Sequence, residues 1–246
     1  MLLNRREFLG SVSAATVLPF LQPTAMQTSE WGLPVLDLHF HMRGRAEANL
    51  AHLDGAGIRR AYALAADLGV PVLLHFQEVD HFENEGKWSS GFAVAFESIL
   101  KTFPKTTFIG HADAFWANVS ADYHNETAYP AGPVLRRGIT DRLLSDYPNL
   151  YGDLSANSGN NMLSRDAEFT GDFLRRHQDK LLFGSDCGCV DGHGAGRSQG
   201  NNPAASRLAG KCVARETLTV LKRAASPEVF RKIARDNAHQ LLKIPA

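Results

Sequence analysis

Five side chains of the types that bind metal ions stand at the ends of short apolar runs. His39 and His41 are two positions apart, and that spacing along a strand puts both imidazoles on one face. Three further apolar runs end at His75, His111 and Asp186. Imidazoles and a carboxylate suit zinc or a similar divalent ion and leave a coordination position open for water. The pattern therefore predicts a catalytic metal site.

Such a site performs hydrolytic chemistry. A divalent ion lowers the pKa of its water toward about 7, and a nearby carboxylate takes the proton as hydroxide attacks a polarised carbonyl. Asp186 is the candidate for both metal ligand and base. Taken alone, the pair His39 and His41 is equally well explained as two polar residues at a strand end, because histidine is often only partly buried.

Apolar runs alternate with amphipathic stretches, which predicts parallel strands joined by helices. The predicted strands are 34–40, 70–76, 106–111, 150–155 and 180–186. The predicted helices are 90–102, 133–146, 164–177 and 212–225, with Ser164 as an N-cap and a further helix opening at Ser226. Residues 188–210 are predicted to form a long loop over the site. In a barrel of parallel strands the polar strand ends would converge on one face.

The chain resembles the amidohydrolase-related branch of the amidohydrolase superfamily, from about Pro34 to His239. His39 and His41 match the family's first-strand pair, and His75 matches its fifth-strand histidine. The two remaining residues also match: His111 the sixth-strand histidine and Asp186 the eighth-strand aspartate.

The resemblance implies a fold, a cofactor and an activity. The fold is a TIM-barrel-like α/β domain. The cofactor is one divalent ion, zinc by preference, held by His39, His41, His75 and Asp186, while His111 orients or polarises a small-molecule substrate. Members hydrolyse amides, esters or lactones, and some are non-oxidative decarboxylases, so both reaction types stay open.

The chain departs from the family between the first and fifth strand positions. The stretch from His41 to Phe76 is too short for the three intervening βα units of about 30 residues each. Residues 53–60 lead toward a new strand, but 61–69 are interpreted as a helix, which indicates an internal deletion near Arg60 to Tyr62. The barrel is then incomplete, with about five βα units, and an inactive remnant is a third alternative.

The N-terminal segment resembles a twin-arginine export signal. Arg5 and Arg6 precede an uncharged, largely apolar stretch, 11–21, which is shorter than the roughly 20 residues of a spanning helix. We expect 1–29 to be a signal segment, 30–246 a catalytic domain, and the protein to be periplasmic or extracellular without a stable membrane anchor.

Composition excludes some partners. Lysine plus arginine equals aspartate plus glutamate at 26 each, so no global field attracts nucleic acid. The hydrophobic fraction of 44% and the charged fraction of 21% are typical of a globular domain. An incomplete sheet with an open edge would favour a homo-oligomer.

Three polar residues are weaker candidates for substrate binding. His124 follows the His111 strand, and His193 and Arg197 lie in the long last loop. Arg197 would bind a carboxylate through its fork of donors, but solvated loop positions explain all three equally well. Asp153 is either a partner of a metal-site histidine or part of a structural hydrogen bond.

The cysteines allow a metal or a disulfide, although packing is the favoured interpretation. Cys187 and Cys189 flank one glycine directly after Asp186, a spacing that strains a disulfide. Small residues at a crowded strand end explain this pair, and Cys212 is interpreted as a helix-packing residue.

Overall fold

The computed structural model describes residues 30–32, 35–37, 58–61, 71–77, 92–102, 104, 106–124, 127–195 and 207–244. In these ranges the strands are β1 (Val35–Asp37), β2 (Ile58–Ala61), β3 (Val72–His75), β4 (Phe108–His111), β5 (Leu150–Asp153) and β6 (Leu181–Leu182). The α-helices are α1 (Phe92–Thr102), α2 (Asp113–Ala117), α3 (Ile139–Asp146), α4 (Ala156–Arg165), α5 (Ala167–Arg176), α6 (Val213–Ala224), α7 (Pro227–Arg231) and α8 (Asn237–Leu242), with a π-helical segment at Lys232–Asp236 before α8.

The strands form parallel sheets whose order follows the chain. β3, β4, β5 and β6 are neighbours in one four-stranded sheet, and β1 pairs with β2 in a two-stranded sheet. Helices connect β3 to β4 and β4 to β5, as in βα units. This arrangement confirms the predicted α/β class and fits part of a TIM-barrel-like fold.

The strand predictions need two corrections. β2 was not predicted, and it contains Ala61, which was assigned to a helix; parallel pairing of Asp37 with Ala61 supplies a strand partner that overrides the helical preference of alanine. Residues 62–70 lie outside the described residues. β6 ends at Leu182, so Asp186 lies in the loop after the strand and not on it.

Two helix predictions were also wrong in their bounds. The helix predicted at 133–146 begins only at Ile139, because residues before it form a bridge to Ser120 and not a helical turn. The helix predicted at 164–177 is two helices, α4 and α5, and Asp166 caps the second by accepting a hydrogen bond from the Phe169 amide. Ser164 lies within α4 and is not a cap.

Other helix predictions are confirmed. α6 occupies Val213–Ala224, inside the predicted 212–225. Ser226 caps α7 by accepting from the Val229 amide at 3.3 Å, with Pro227 in the first turn.

Aromatic side chains fill the space between the four-stranded sheet and its helices. Trp116 and Phe115 of α2 are buried and meet edge to face, with ring centroids 4.8 Å apart. Gly110 in β4 makes room for Phe115, because a Cβ there would lie 2.1 Å from the Phe115 ring. Trp116 Nε1 also donates to the Asp153 carbonyl at 2.8 Å. The core thus holds the ends of β4 and β5 in place.

Among the described residues, no helix combines the length and the apolar character that crossing a membrane requires.

Candidate metal centre

Three of the predicted site residues lie together: two at the carboxyl ends of neighbouring strands and one in the loop after β6. His75 and His111 end β3 and β4 and are register partners, which brings their rings to a centroid distance of 5.2 Å in an edge-to-face arrangement. His111 Nε2 lies 3.7 Å from Asp186 Oδ2. Parallel pairing of β3 and β4 therefore brings the last residues of two separate apolar runs, His75 and His111, next to each other.

His111 is held from behind by two buried side chains. Its Nδ1 lies 3.0 Å from Ser155 Oγ and 3.3 Å from Asp153 Oδ2. Ser155 Oγ donates to Asp153 Oδ2 at 2.6 Å, so this hydroxyl accepts a hydrogen bond from Nδ1–H. The backbone amide of Ser155 also donates to Asp153 Oδ1 at 3.0 Å. Of the two alternatives for Asp153, the structure therefore shows a hydrogen-bonded network that includes the histidine.

This network sets the tautomer of His111. With the proton on Nδ1, the lone pair of Nε2 faces the Asp186 carboxylate. Two electron-pair donors 3.7 Å apart repel each other unless a cation or a shared proton lies with them. The donor set of imidazoles and a carboxylate is the set that divalent metals of the zinc type bind. His75, His111 and Asp186 therefore offer donor types that suit a divalent ion.

His75 lies at the more open side of the cluster, where its Nε2 is 3.2 Å from Gln77 Oε1. Partial burial lowers its pKa, and the neighbouring His111 lowers that pKa further, against a smaller opposing effect of the Gln77 hydrogen bond. A lowered pKa keeps this imidazole neutral at neutral pH, and the neutral form is the one that ligates metals.

Backbone strain concentrates at the same strand ends. Ala112, Ala156 and Asp186 have φ values of 81°, 61° and 42°, a region that residues other than glycine rarely adopt. Asp186 belongs to the cluster, and Ala112 directly follows His111. Ala156 directly follows Ser155, the hydrogen-bond partner of His111. Strain of this kind persists where surrounding contacts hold the backbone, and it is typical of functional sites.

Several nearby residues were missed by the sequence reasoning. Asp113 is buried at the start of α2, and its charge acts on both His75 and Tyr129. Burial raises the pKa of Tyr129, and the Asp113 and Asp186 charges raise it further, while the phenol is in hydrogen-bond contact with Asn157. The phenol stays protonated and can donate. Asp113 could have been found from its place two residues after His111, whereas Tyr129 lies in an irregular segment without a signal.

The remaining predicted residues fall into two groups. His39, His41 and Arg197 lie outside the described residues. His124 and His193 are exposed, and the backbone of His193 is held in a turn by the Asp191 carboxylate at 2.8 Å. Their roles in substrate binding stay predictions.

The partial barrel and its cluster define the class of protein: an α/β domain of the TIM-barrel type with two histidines and an aspartate near the ends of its strands. A family model described as Amidohydrolase matches residues 30–244. The chain belongs to this family, whose members are metal-dependent and carry out hydrolase- or decarboxylase-type chemistry. Neither the curated proteins nor the solved structures include a match to the chain.

Proposed function

We propose that the protein is a metal-dependent hydrolase that cleaves a carbonyl-type bond, an amide, ester or lactone, in a small molecule. The observation that carries this proposal is the buried His111, backed by Ser155 and Asp153, with Nε2 facing Asp186 at 3.7 Å. A histidine fixed on one side and open to a carboxylate on the other is suited to proton transfer and to orienting a substrate.

The proposed cofactor is one divalent ion, zinc by preference, held by His39, His41, His75 and Asp186. When bound, such an ion makes a coordinated water more acidic and polarises a carbonyl oxygen. The neutral state of His75 and the carboxylate of Asp186 support this assignment on the described side of the site.

The residues of the chain supply the proton chemistry. Asp186 accepts the proton of the attacking water. His111 orients or polarises the substrate carbonyl through an Nε2–H, which it carries once it has taken up a proton, while Nδ1–H stays hydrogen-bonded to Ser155 Oγ. Tyr129 donates a hydrogen bond to a polar group of the substrate. His124, His193 and Arg197 are proposed as further substrate contacts from the long loops.

We propose further that 1–29 act as a twin-arginine-type export signal and that 30–246 work outside the cytoplasm on a small molecule. The export proposal rests on Arg5, Arg6 and the short apolar stretch behind them. Fractionation of cells that express the chain or its Arg5→Lys, Arg6→Lys double variant checks this proposal. We expect export of the wild type and not of the variant. Retention of the wild type in the cytoplasm contradicts the proposal.

The experiment compares the purified protein with a His39→Ala, His41→Ala double variant. We expect the wild type to hold one more ion per chain than the variant by elemental analysis, and to hydrolyse members of an ester, lactone and amide panel. A Gln178→Ala variant serves as the control, because the side chain of Gln178 is hydrogen-bonded to Arg175 and Lys232 and not to a residue of the cluster. Release of carbon dioxide from a carboxylated substrate identifies a decarboxylase instead, and equal metal content with no turnover in both proteins identifies an inactive remnant.

A further inference from the structure

The three cysteines of the chain come together in one buried cluster. Cys187 Sγ lies 3.3 Å from Cys189 Sγ and 3.7 Å from Cys212 Sγ, and all three sulfurs are within 4.8 Å of one another. Each residue is at most 2% exposed. The chain contains three cysteines in all, so every thiol of the protein is in this cluster, including one from a distant part of the sequence.

The sulfur separations match those of a metal-thiolate site. Zinc-sulfur bonds of about 2.3 Å in a tetrahedral site place two sulfurs about 3.8 Å apart. The pair Cys187 and Cys212 is already at 3.7 Å. The pair Cys187 and Cys189, at 3.3 Å, has to open by roughly 0.5 Å to reach the zinc-like spacing, and the single glycine between these two residues allows that adjustment.

Backbone amides surround the sulfurs of the loop. Cys187 Sγ accepts hydrogen bonds from the amides of Cys189 and Ala214, and Cys189 Sγ accepts one from the amide of Gly192. Amide donors of this kind stabilise thiolate ligands and fix their direction. A cluster of cysteines that only filled space would not require N–H groups directed at its sulfurs.

Cys212 brings a third favourable element. It is the N-cap residue of α6, so its sulfur lies at the positive end of a 12-residue helix, near the amide of Arg215. A helix N-terminus stabilises negative charge. This position offsets the net negative charge that three thiolates around one cation leave in a buried place.

We propose that Cys187, Cys189 and Cys212 bind a soft metal ion of the type represented by Zn²⁺ and Cu⁺, at a site separate from the histidine cluster. Thiolate donors bind Zn²⁺ and Cu⁺ well and bind hard ions such as Mg²⁺ poorly. Imidazole donors also bind Zn²⁺, and carboxylates suit harder ions. Binding exchanges up to three thiol protons for one ion and involves no electron transfer. The bound ion ties the loop after Asp186 to the first turn of α6 and thereby steadies the carboxylate side of the histidine cluster.

The test is a titration of the reduced, metal-depleted full-length protein with Cd²⁺, followed by its ultraviolet sulfur-to-cadmium absorption. We expect one Cd²⁺ per chain bound with this absorption, and binding at least tenfold weaker in Cys189→Ser and Cys212→Ser. Thr217→Ser, a conservative change at a buried position of α6, is the matched control and should bind as the wild type. A His75→Ala, Asp186→Asn variant should keep the absorption, which separates this site from the proposed catalytic one.

Elemental analysis of the purified His75→Ala, Asp186→Asn variant, which lacks ligands of the histidine cluster, tells zinc from copper at the cysteine site. Two results overturn the proposal without any variant: no sulfur-to-cadmium absorption in the reduced wild type, or a purified protein lighter by two hydrogen atoms, which identifies a disulfide. Failure of hydrolysis with the absorption intact contradicts the proposed function alone. Circular dichroism of each variant shows whether it is folded. If a variant that loses binding is unfolded, the Cd²⁺ titration of the wild type alone tests the proposal.

Discussion

At the scale of single residues, His111 is the best supported member of the site. Its ring is buried, with Ser155 Oγ at 3.0 Å on one side and Asp186 at 3.7 Å on the other. Ser155 is the link, because its hydroxyl accepts from the histidine and donates to Asp153 at 2.6 Å. Removing that hydroxyl takes away one hydrogen bond from each of two buried groups, His111 and Asp153, and the loss of buried hydrogen bonds lowers stability.

A Ser155→Ala variant is therefore expected to lower the free energy of unfolding by about 1–3 kcal/mol. Urea denaturation measures this change. Ser145→Ala, at an exposed position where the hydroxyl bonds only back to its own helix, is the control and should change stability far less. Equal stability of the Ser155→Ala variant and the wild type would contradict the network. If His111 acts in catalysis, the same variant also shifts the pH profile of hydrolysis.

At the scale of elements, α3 and α5 are joined by a buried charged group. Both Asp141 oxygens accept from Arg176, at 2.5 and 2.6 Å, and His177 Nε2 lies 3.1 Å from Asp141 Oδ1. Burial by itself raises the pKa of Asp141, but the hydrogen bonds from His177 and Arg176 outweigh burial and lower that pKa from 3.8 to about 2. The ionised form is thus stabilised by the fold.

A depressed carboxyl pKa stabilises the folded protein above its unfolded-state value and loses that effect as the pH falls through the folded-state value. Asp141 should therefore contribute about 2 kcal/mol at neutral pH, lost progressively as pH drops from about 4 to about 2. Denaturation at a series of pH values measures this. In Asp141→Asn the loss over this window should shrink, whereas Asp179→Asn, at an exposed position, should keep it. An unchanged profile in Asp141→Asn would exclude the assignment.

At the scale of the whole molecule, the described strands form a parallel sheet of four and a pair. The sequence predicts an internal deletion near Arg60 to Tyr62. In the structure, β2 lies in part of this region and pairs with β1. In the proposed metal site, His39 and His41 follow β1 of the two-stranded sheet, whereas His75 and Asp186 belong to the four-stranded sheet and the loop after it. A bound ion would then connect distant segments and stabilise the folded chain by mass action.

Metal removal should consequently lower the melting temperature. For an ion present at 100 times its dissociation constant the stabilisation is about 2.7 kcal/mol, or roughly 5–10 °C in a chain of this size. Differential scanning fluorimetry before and after chelation, and after return of Zn²⁺, measures the shift. The His39→Ala, His41→Ala variant should show a smaller shift, because only the cysteine site then remains. Identical melting curves for chelated and reloaded wild type would argue against either metal site.

The sequence by itself determined which residues have donor chemistry and where several regular elements lie. Strands β3 to β6 end in or near polar residues after apolar runs, and α6 and the cap at Ser226 follow from local spacing. These features depend on neighbours within one turn or one strand, so periodicity reveals them. The resemblance led to the family that residues 30–244 match. It rests on His39, His41, His75, His111 and Asp186.

Only the tertiary structure decided which distant residues meet. β2 forms because β1 pairs with it, and α4, a polar segment rich in asparagine and serine, is helical while packed against α6. Cys212 was interpreted as helix packing, yet the fold brings its sulfur within 3.7 Å of Cys187. The contact of Ser155 with His111 likewise joins residues 44 positions apart. Such contacts depend on chain closure and packing over long separations, for which local sequence patterns carry no signal.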